Sequence, residues 1–562
     1  MKSAKAAIVL INALTFIFSG TTGFAQEQYQ KALTALVDSI KTNNAAFPFE
    51  KLYVQTDRPQ YTTNDTLWFK AYVLNALDLT ATQKSGVLYV EVASDTDSVL
   101  KRMMLPMVKG LSWGNIALKD LAEGRYTLFA YTSWIRNFDE RYIYRKDFEV
   151  TSQAANSWLV NAKTNTKSDK LSLDISFSNL SQQPVSFRKL AFTLQEAGGT
   201  VSKEQAETNE AGQVNLLFPQ SQITQGKSLT LSVEDLRPGG DKRTLKIPLS
   251  VRSEDLDLQF MPEGGALIGG IRSKVGFKAI GEDGKGVEVF GTVYNSKNQE
   301  VARLRTSNRG MGAFSLLPQA GETYHAKVQF MGSTKVFNLP LLRGSGTGLS
   351  ITNKANDSLE IVISATPDRK TRYFLIGQTN GVVYDAASIA STSARAKIYI
   401  DKSSFPTGVA RFTLLDSLKN PLNERLTFIN HSDNLIFHIN QLNTIAQGGD
   451  SVLIQLKVTD KTGAPQIGSF SLAVTDDRLV DIDSMRMNNM ISNLLLTSDL
   501  KGTVEDPGYY FLADDVEKRR EDLDILLLTQ GWSEFKANDV PGNQRSIKYP
   551  SEPEFAISGK VI

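Results

Sequence analysis

The sequence predicts a mainly β protein in which antiparallel β-sandwiches follow one another along the chain. A short N-terminal helix precedes them, and a helical insertion is expected in the fifth domain. Three observations support this fold class. Lys51–Leu74 alternates strand-like runs with tight turns, glycine-led strands recur at nearly constant intervals, and the 562 residues include no cysteine. Without disulfides, each domain must be held together by its own apolar core.

The first 25 residues have the features of a secretory signal peptide. Lys2 and Lys5 precede an apolar run from Ala6 to Phe18, and Gly23–Ala25 offers small residues for cleavage. A membrane anchor is the alternative, but the run is shorter than the roughly 20 residues that a spanning helix needs. We therefore expect no transmembrane segment after cleavage. The remaining chain would carry 60 basic and 60 acidic residues, without the basic excess that is typical of nucleic-acid binding.

Residues 26–47 are predicted to form an amphipathic helix and linker. Tyr29, Leu33, Leu36, Val37 and Ile40 fall on one helical face and give a single apolar stripe. We expect this helix to pack on the first sandwich, with an oligomer contact as the alternative.

The first sandwich is expected to open within Lys51–Leu74. Pro59 lacks a backbone donor and holds Arg58 in an extended conformation, so Asp57–Pro59 marks a sheet edge or a corner. Asn64-Asp65 supplies a second turn, because Asx side chains bond their own backbone there. A long apolar and aromatic strand follows.

A repeat predicts the next domains. Gly114, Gly212, Gly312 and Gly408 each begin a run of alternating apolar residues, at intervals of 98, 100 and 96 residues. About 100 residues is the size of one seven-stranded sandwich, so we interpret the repeat as a string of domains. Coincidence is the alternative, since glycine often precedes a strand. The predicted sandwiches span residues 48–152, 153–255, 256–345 and 346–435, with a flexible joint at residues 344–348.

The last third of the chain is predicted to contain a fifth sandwich over residues 436–535. Its core strand is expected at Gly468–Asp476, and helical patterns at Met485–Leu500 and Asp514–Gln530 predict the insertion (483–531). Acidic residues near the start of the second pattern and Gly531 after its end favour a helix. Residues 536–562 are expected to be a linker and the first strand of a further β domain, which would continue beyond Ile562.

Several segments resemble the α2-macroglobulin family. Tyr53, Thr56–Pro59, Tyr61 and Phe69-Lys70 match the motif that opens its domains, so that residues 48–152 resemble the domain called MG2. Pro421–Phe428 and Phe470–Asp476 resemble two strands of macroglobulin domains. Further strings resemble large macroglobulin-domain envelope proteins of the Bacteroidota: Gly124–Phe138, Phe260–Gly270, Leu495–Gly502 and Leu526–Trp532.

The resemblance implies a non-enzymatic, exported binding or scaffold protein of the periplasm or outer membrane, or of the cell surface. Proteins of this type continue into a carboxypeptidase-regulatory-like domain and a TonB-dependent-receptor plug domain, which implies a link to TonB-linked transport or assembly. Its expected partners are envelope proteins, either outer-membrane transport components or proteases. The alternative is a macroglobulin-like endopeptidase inhibitor. The missing cysteine excludes the family's thioester, and no long cleavable bait segment stands out.

Catalytic motifs are weak. Gly110–Gly114 fits a nucleophile elbow around Ser112, but the residues that follow predict strands and turns instead of the helix that this motif requires. A serine hydrolase is therefore a remote alternative. The chain has three histidines: His325, His431 and His438. The last two are seven residues apart, an odd offset that places them on opposite faces of a strand and disfavours a metal pair.

Two further patterns have ordinary explanations. Asp476, Asp477, Asp481 and Asp483 could supply hard oxygen ligands to calcium, but their spacing favours a solvated turn. Gly344, Gly346 and Gly348 neither follow the right strand nor open a helix, which disfavours phosphate binding. We assign no catalytic, cofactor-binding or metal-binding residue.

One modification pattern recurs. Aspartate followed by serine or threonine and then an aliphatic residue or methionine resembles the acceptor motif for O-glycosylation of exported Bacteroidota proteins. An Asp turn that enters a strand is the alternative explanation. The candidate acceptors are Ser39, Thr66, Ser98, Ser358, Ser417, Ser451 and Ser484.

Overall fold

A computed structural model describes residues 23–555, except for 95–97, 123, 152–157, 168–169, 180–182, 197–198, 220–228, 238–243, 250–254, 283, 370, 391–393, 442–450, 476–486 and 532–546. Most of the predicted signal peptide (residues 1–22 of 1–25) therefore lies outside the described residues. The four aspartates of the candidate calcium cluster and Ser484 also lie outside them. Among the described residues, strands dominate and group into successive antiparallel sandwiches, which confirms the predicted mainly β fold class.

The first sandwich packs a three-stranded sheet against a five-stranded one. Its strands are β1 (Glu50–Thr56), β2 (Gln60–Thr62), β3 (Thr66–Asn75), β4 (Val87–Ser94), β5 (Val99–Pro106), β6 (Leu111–Ala117), β7 (Gly124–Tyr131) and β8 (Tyr144–Thr151). The sheet orders are β1-β3-β6 and β2-β8-β7-β4-β5, with β2 parallel to β8. Asp57 fixes the predicted corner, because its carboxylate accepts hydrogen bonds from the buried Tyr61 hydroxyl (2.7 Å) and the Trp68 amide (3.0 Å).

The second sandwich follows the expected seven-stranded pattern. Its strands are β9 (Trp158–Lys167), β10 (Lys170–Asn179), β11 (Lys189–Glu196), β12 (Gly199–Glu207), β13 (Gln213–Pro219), β14 (Leu229–Asp235) and β15 (Thr244–Leu249). They form sheets of order β13-β10-β9 and β12-β11-β14-β15.

The third sandwich repeats this arrangement and adds a short parallel pair. Its strands are β16 (Leu256–Pro262), β17 (Leu267–Ile268), β18 (Ser273–Gly281), β19 (Phe290–Asn295), β20 (Glu300–Arg305), β21 (Met311–Leu316), β22 (Tyr324–Phe330), β23 (Ser333–Asn338) and β24 (Leu342–Arg343). The sheets are β16-β18-β21 and β20-β19-β22-β23, and β17 pairs with β24.

The fourth sandwich again has three strands facing four. Its strands are β25 (Thr347–Asn353), β26 (Ser358–Ala365), β27 (Arg372–Thr379), β28 (Val382–Ala390), β29 (Arg395–Asp401), β30 (Gly408–Leu415) and β31 (Pro421–Ile429). The sheet orders are β25-β26-β29 and β28-β27-β30-β31.

A tight glycine turn precedes the last strand of the three-stranded sheet in each of the first three sandwiches. Gly110, Gly212 and Gly310 have φ angles of 73°, 72° and 71°, a conformation that glycine adopts without strain. The carbonyl of each accepts a hydrogen bond from the middle strand, at 2.7, 2.8 and 2.8 Å respectively. The glycines that these turns require are therefore Gly110, Gly212 and Gly310. Of the glycines in the sequence repeat, Gly212 holds this place, whereas Gly114 and Gly312 lie within strands.

The fourth copy of the sequence repeat occupies a different place in its sandwich. Gly408 opens β30 with φ 140°, in the four-stranded sheet. Gly124 opens β7 with φ 155° at the corresponding place in the first sandwich. The glycines of the sequence repeat are therefore not equivalent in the fold: the first three lie at the last strand of a three-stranded sheet, whereas Gly408 lies in a four-stranded sheet.

The N-terminal helix α1 (Gly23–Ala46) packs on the fourth sandwich, where we had expected the first. Leu33, Leu36 and Val37 are buried against Phe374 and Ile376 on the outer face of β27. The Asn44 side chain also donates to a carbonyl in the β27–β28 turn. The helix docks here because this sheet presents an apolar outer face.

The fifth region also differs from expectation. Among its described residues, the regular β structure is a two-stranded sheet of β32 (Ile436–Gln441) and β33 (Ile454–Thr459). Residues 468–475 pair with none of the described strands. They are tied to β3 through Lys70 Nζ, which donates to Ser469 Oγ and the Phe470 carbonyl, both at 2.8 Å. The helices α2 (Met490–Leu495) and α3 (Val516–Gln530) pack on the first, third and fourth sandwiches instead of on the fifth.

Candidate functional site: the clamped cleft

Residues 487–531, the helical clamp, join sandwiches that are distant in sequence. Asn489 and Ser492 form a capping box that starts α2, and the Asp515 side chain caps α3. Leu494 of α2 enters the core of the first sandwich. The remaining apolar face packs on Met311 of the third sandwich and on strands β30 and β31 of the fourth, through Leu496, Leu500, Tyr510, Leu523, Leu526 and Leu527.

Arg425 of β31 is the polar centre of this junction, with a side chain 2% exposed. Its guanidinium donates to Glu263 Oε1 of the third sandwich at 2.8 Å and to Asp524 Oδ1 of α3 at 2.7 Å. Lys274 Nζ reaches the other Asp524 oxygen at 2.7 Å. Burial opposes ionisation of Asp524, but the charges of Arg425 and Lys274 outweigh it and hold the pKa of that carboxyl below its ordinary value.

An amide next to Arg425 completes the contact between the third and fourth sandwiches. The Asn423 side chain donates to the carbonyl of Gly264 at 2.7 Å and to that of Thr347 at 3.0 Å. Gly276 lets α3 approach closely, because a Cβ there would lie 2.8 Å from Leu528 Cγ. These contacts fix how the two sandwiches face each other.

Asp522 forms a second buried lock between α3 and the third sandwich. Its side chain is fully buried and accepts from Ser307 Oγ (2.6 Å), the Tyr509 hydroxyl (2.6 Å) and Lys518 Nζ (2.6 Å). Burial and then the Asp522 hydrogen bond raise the pKa of Tyr509 to about 12. The hydroxyl therefore stays protonated as the donor.

Lys51 joins the clamp to the first sandwich. Its side chain is fully buried, and Nζ donates to the Leu494 carbonyl at 2.7 Å and to Asp499 Oδ2 at 2.8 Å. The neighbouring Glu50 is also buried and accepts from the hydroxyls of Ser85 and Thr132. Burial raises the pKa of Glu50.

The clamp borders a cleft of about 880 Å³ between the third and fourth sandwiches. Its walls combine apolar side chains with charges of both signs: Ile271, Leu317 and Val362 are apolar, Arg272, Lys354 and Arg520 are basic, and Glu517 and Glu521 are acidic. A second cleft of about 900 Å³ lies between the fourth sandwich and the clamp and shares Lys354 and Arg520 with the first. Such a mixed surface suits a protein segment better than a small apolar ligand.

The candidate nucleophile does not form an active site. Ser112 is buried within β6, not on a strand-to-helix turn, and its hydroxyl donates to the Pro106 carbonyl at 3.0 Å. His325 stacks on Tyr294, with ring centres 5.8 Å apart. His431 and His438 bond locally, to the Phe405 carbonyl and to a threonine hydroxyl.

Across the described ranges, no group of three His, Asp or Glu residues is placed to hold a metal ion.

The joint at residues 344–348, which we expected to be flexible, is anchored to the fourth sandwich. The Gly346 amide donates to the Thr366 hydroxyl, and the Gly346 carbonyl accepts from the Thr366 amide. A Cβ on Gly346 would also lie 2.6 Å from Ile268 Cδ1.

The candidate glycan acceptors differ in accessibility. Thr66 and Ser358 are half-buried at the starts of strands. Exposed positions are held by Ser39, Ser98, Ser417 and Ser451. The turn explanation applies to Asp416, whose carboxylate accepts from the amides of Leu418 and Asn420.

Sequence reasoning missed Arg425, Glu263 and Asp524 as a group, although the signal was present. Glu263 lies in Phe260–Gly270 and Arg425 in Pro421–Phe428, two of the strings that carried the family resemblance. The structure brings those two strings together with α3 at one junction.

No model of a known protein family matches this chain, and no curated protein matches it. Among solved structures, trypsin-activated α2-macroglobulin from Escherichia coli aligns at 12% identity over 74% of this chain and 33% of that chain, with a TM-score of 0.34. Its native conformation gives 12% identity, 74% and 32% coverage and a TM-score of 0.31, and Salmonella α2-macroglobulin reacted with methylamine gives the same four values. The chain spans about a third of the length of these proteins, and the superpositions are too distant to assign a family.

In the part of the chain that the structure describes, no helix is both long enough and apolar enough to cross a membrane.

Proposed function

We propose that this chain is a non-enzymatic, exported scaffold of the cell envelope that binds protein partners in the cleft between its third and fourth sandwiches. The observation that carries the proposal is the buried Arg425 junction, which links Glu263, Asp524 and Lys274 from three separate elements. A buried charge network of this kind is costly unless its geometry is held, so it favours one fixed arrangement of the cleft walls.

The sequence resemblance supports a finer proposal. Its motifs suggest association with outer-membrane TonB-linked transport or assembly. The mixed charge of the cleft is compatible with an envelope protein as partner. A protease inhibitor without a thioester is the alternative, and it predicts a change of shape after a protease cuts the chain.

Site-specific photocrosslinking in native envelopes tests the proposal. A photoreactive amino acid at Leu317, which lines the cleft and is 40% exposed, should yield a discrete crosslinked protein. Leu418, 79% exposed on the β30–β31 turn, is the matched control and should not. Equal crosslinking at both positions, or none at Leu317, would contradict cleft binding. Altered sedimentation after limited proteolysis would favour the inhibitor.

We also propose that O-glycans are added at the exposed acceptors Ser39, Ser98, Ser417 and Ser451 in preference to the half-buried Thr66 and Ser358. A transferase needs access to the hydroxyl and to the preceding aspartate. Peptide mapping of the protein from its own host should find glycans at the exposed sites. An intact mass equal to that of the bare polypeptide would refute this.

A further inference from the structure

The segment Ile547–Phe555, the strap, lies in a groove on the first sandwich. Asn137 holds its backbone at one end. Asn137 Oδ1 accepts from the amides of Lys548 (2.9 Å) and Tyr549 (2.8 Å), and its Nδ2 donates to the Tyr549 carbonyl at 2.6 Å. One side chain therefore satisfies three main-chain groups of an extended segment.

A column of stacked side chains receives Tyr549. The Arg136 guanidinium lies 3.8 Å from the centre of the Tyr549 ring and 5.9 Å from that of Tyr131. Tyr131 in turn stacks on Tyr89, with ring centres 5.4 Å apart and planes at 7°. A guanidinium between aromatic faces gives a specific subsite for an aromatic residue.

The other end of the groove recognises Glu552. The Gly86 amide donates to the Glu552 carbonyl, and the Tyr89 hydroxyl donates to its carboxylate at 3.1 Å. Gly86 has no room for a side chain while the strap is in place, because a Cβ would lie 2.3 Å from the Pro553 carbonyl oxygen. Pro550 and Pro553 both keep the segment extended.

These are the contacts by which domains recognise extended peptides: hydrogen bonds to the main chain and subsites for selected side chains. The strap lies outside the apolar core of the first sandwich. Its prolines, Lys548 and Glu554 are exposed. Its departure would therefore leave that core intact.

We propose that this groove, lined by Gly86, Tyr89, Arg136 and Asn137, is a peptide-binding site for extended segments of the pattern Tyr-Pro-x-Glu-Pro. The strap, which contains Tyr549–Pro553, is its resident and displaceable ligand. The proposal is independent of the cleft. It gives the chain a second binding surface, which is closed while the strap occupies it.

A labelled nonapeptide with the sequence of Ile547–Phe555 tests this by fluorescence anisotropy. The tethered strap competes at an effective concentration in the millimolar range. The double variant Tyr549→Ala/Glu552→Ala keeps the groove but weakens the strap, so it should bind the peptide at least tenfold more tightly than the unchanged chain. Adding Gly86→Val to that variant should abolish binding, and a peptide with both positions changed to alanine should not bind.

Hydrogen exchange gives a second measurement that does not depend on peptide affinity. In the otherwise unchanged chain, Gly86→Ala should expel the strap and accelerate exchange of the Tyr549 amide, while amides of β4 and β7 keep their protection. Equal peptide affinity for the unchanged chain and the double variant would overturn the proposal. Absence of binding to both, or an unchanged Tyr549 exchange rate in Gly86→Ala, would also overturn it.

Discussion

Replacing Arg425 with methionine should loosen the junction between the third sandwich, the fourth sandwich and the clamp. The substitution keeps much of the side-chain volume but removes three hydrogen bonds, to Glu263, to Asp524 and to the Leu426 carbonyl. Glu263 is only 6% exposed at its side chain, so it would remain as a buried carboxylate without its cation.

The expected cost follows from that burial. Removing one partner of a buried, hydrogen-bonded ion pair costs about 3–5 kcal/mol. Lys274 still contacts Asp524, so we expect the lower half of that range. The exposed pair of Arg303 and Glu300, with side chains 81% and 45% exposed, is the matched control. Arg303→Met should leave the stability almost unchanged, because solvent screens an exposed ion pair.

Native-state hydrogen exchange of α3 is the appropriate assay, because a multidomain chain need not unfold in one step. A loss of about 3 kcal/mol corresponds to roughly a 100-fold fall in protection. Changing Glu263 to glutamine in the Arg425→Met background should restore part of it, because the orphaned charge is removed. Unchanged α3 protection in Arg425→Met, or a fall no larger than in Arg303→Met, would refute the role of this junction.

Two further substitutions have sharp expectations. Burial raises the pKa of Asp385 from 3.8 to about 6, so its penalty is absent below pH 4, grows as the pH rises and is complete above pH 6. Asp385→Asn should therefore raise the free energy of unfolding at pH 7.5 by up to about 3 kcal/mol, seen as a higher melting temperature, and leave the melting temperature unchanged at pH 3.5. The exposed Asp38→Asn should change it at neither pH, and a pH-independent gain in Asp385→Asn would contradict the assignment. Gly310→Ala should destabilise the third sandwich by more than the roughly 1–2 kcal/mol of a left-handed residue, because its Cβ would meet the Ala279 carbonyl oxygen. Gly321→Ala is the control, because Gly321 has φ 81° but no atom close to where its Cβ would lie. In urea unfolding it should lose only the free energy of the backbone strain. Equal losses of stability in the two variants would show that the close approach at Gly310 is unimportant.

The sequence predicted local structure well where a pattern is local. The Asp57–Pro59 corner and the start of α3 depend on backbone rules that act within a few residues. The sandwich fold followed from alternation, which indicates that one face of a strand is buried.

Alternation does not say what covers that face. Lys51 meets Asp499 across 448 positions of sequence, and Arg425 meets Glu263 across 162. Such pairs depend on how whole sandwiches are arranged, so the α1 docking surface and the clamp could not be derived from periodicity. The glycine spacing gave a wrong repeat for a similar reason, since Gly212 lies in the turn before a strand of a three-stranded sheet, whereas Gly408 opens a strand of a four-stranded sheet.

The central claim is that the clamp holds the first, third and fourth sandwiches in one rigid arrangement, with the cleft between the third and the fourth. Because the chain has no cysteine, Lys119→Cys in the first sandwich and Ser417→Cys in the fourth would each give a unique site for a spin label. The distance between the two labels can then be measured by pulsed electron–electron double resonance. We predict a single narrow distance distribution, and a broad one when Lys51→Met removes the buried contacts to Leu494 and Asp499. A distribution that is already broad with Lys51 present, or one that Lys51→Met leaves unchanged, would contradict the account.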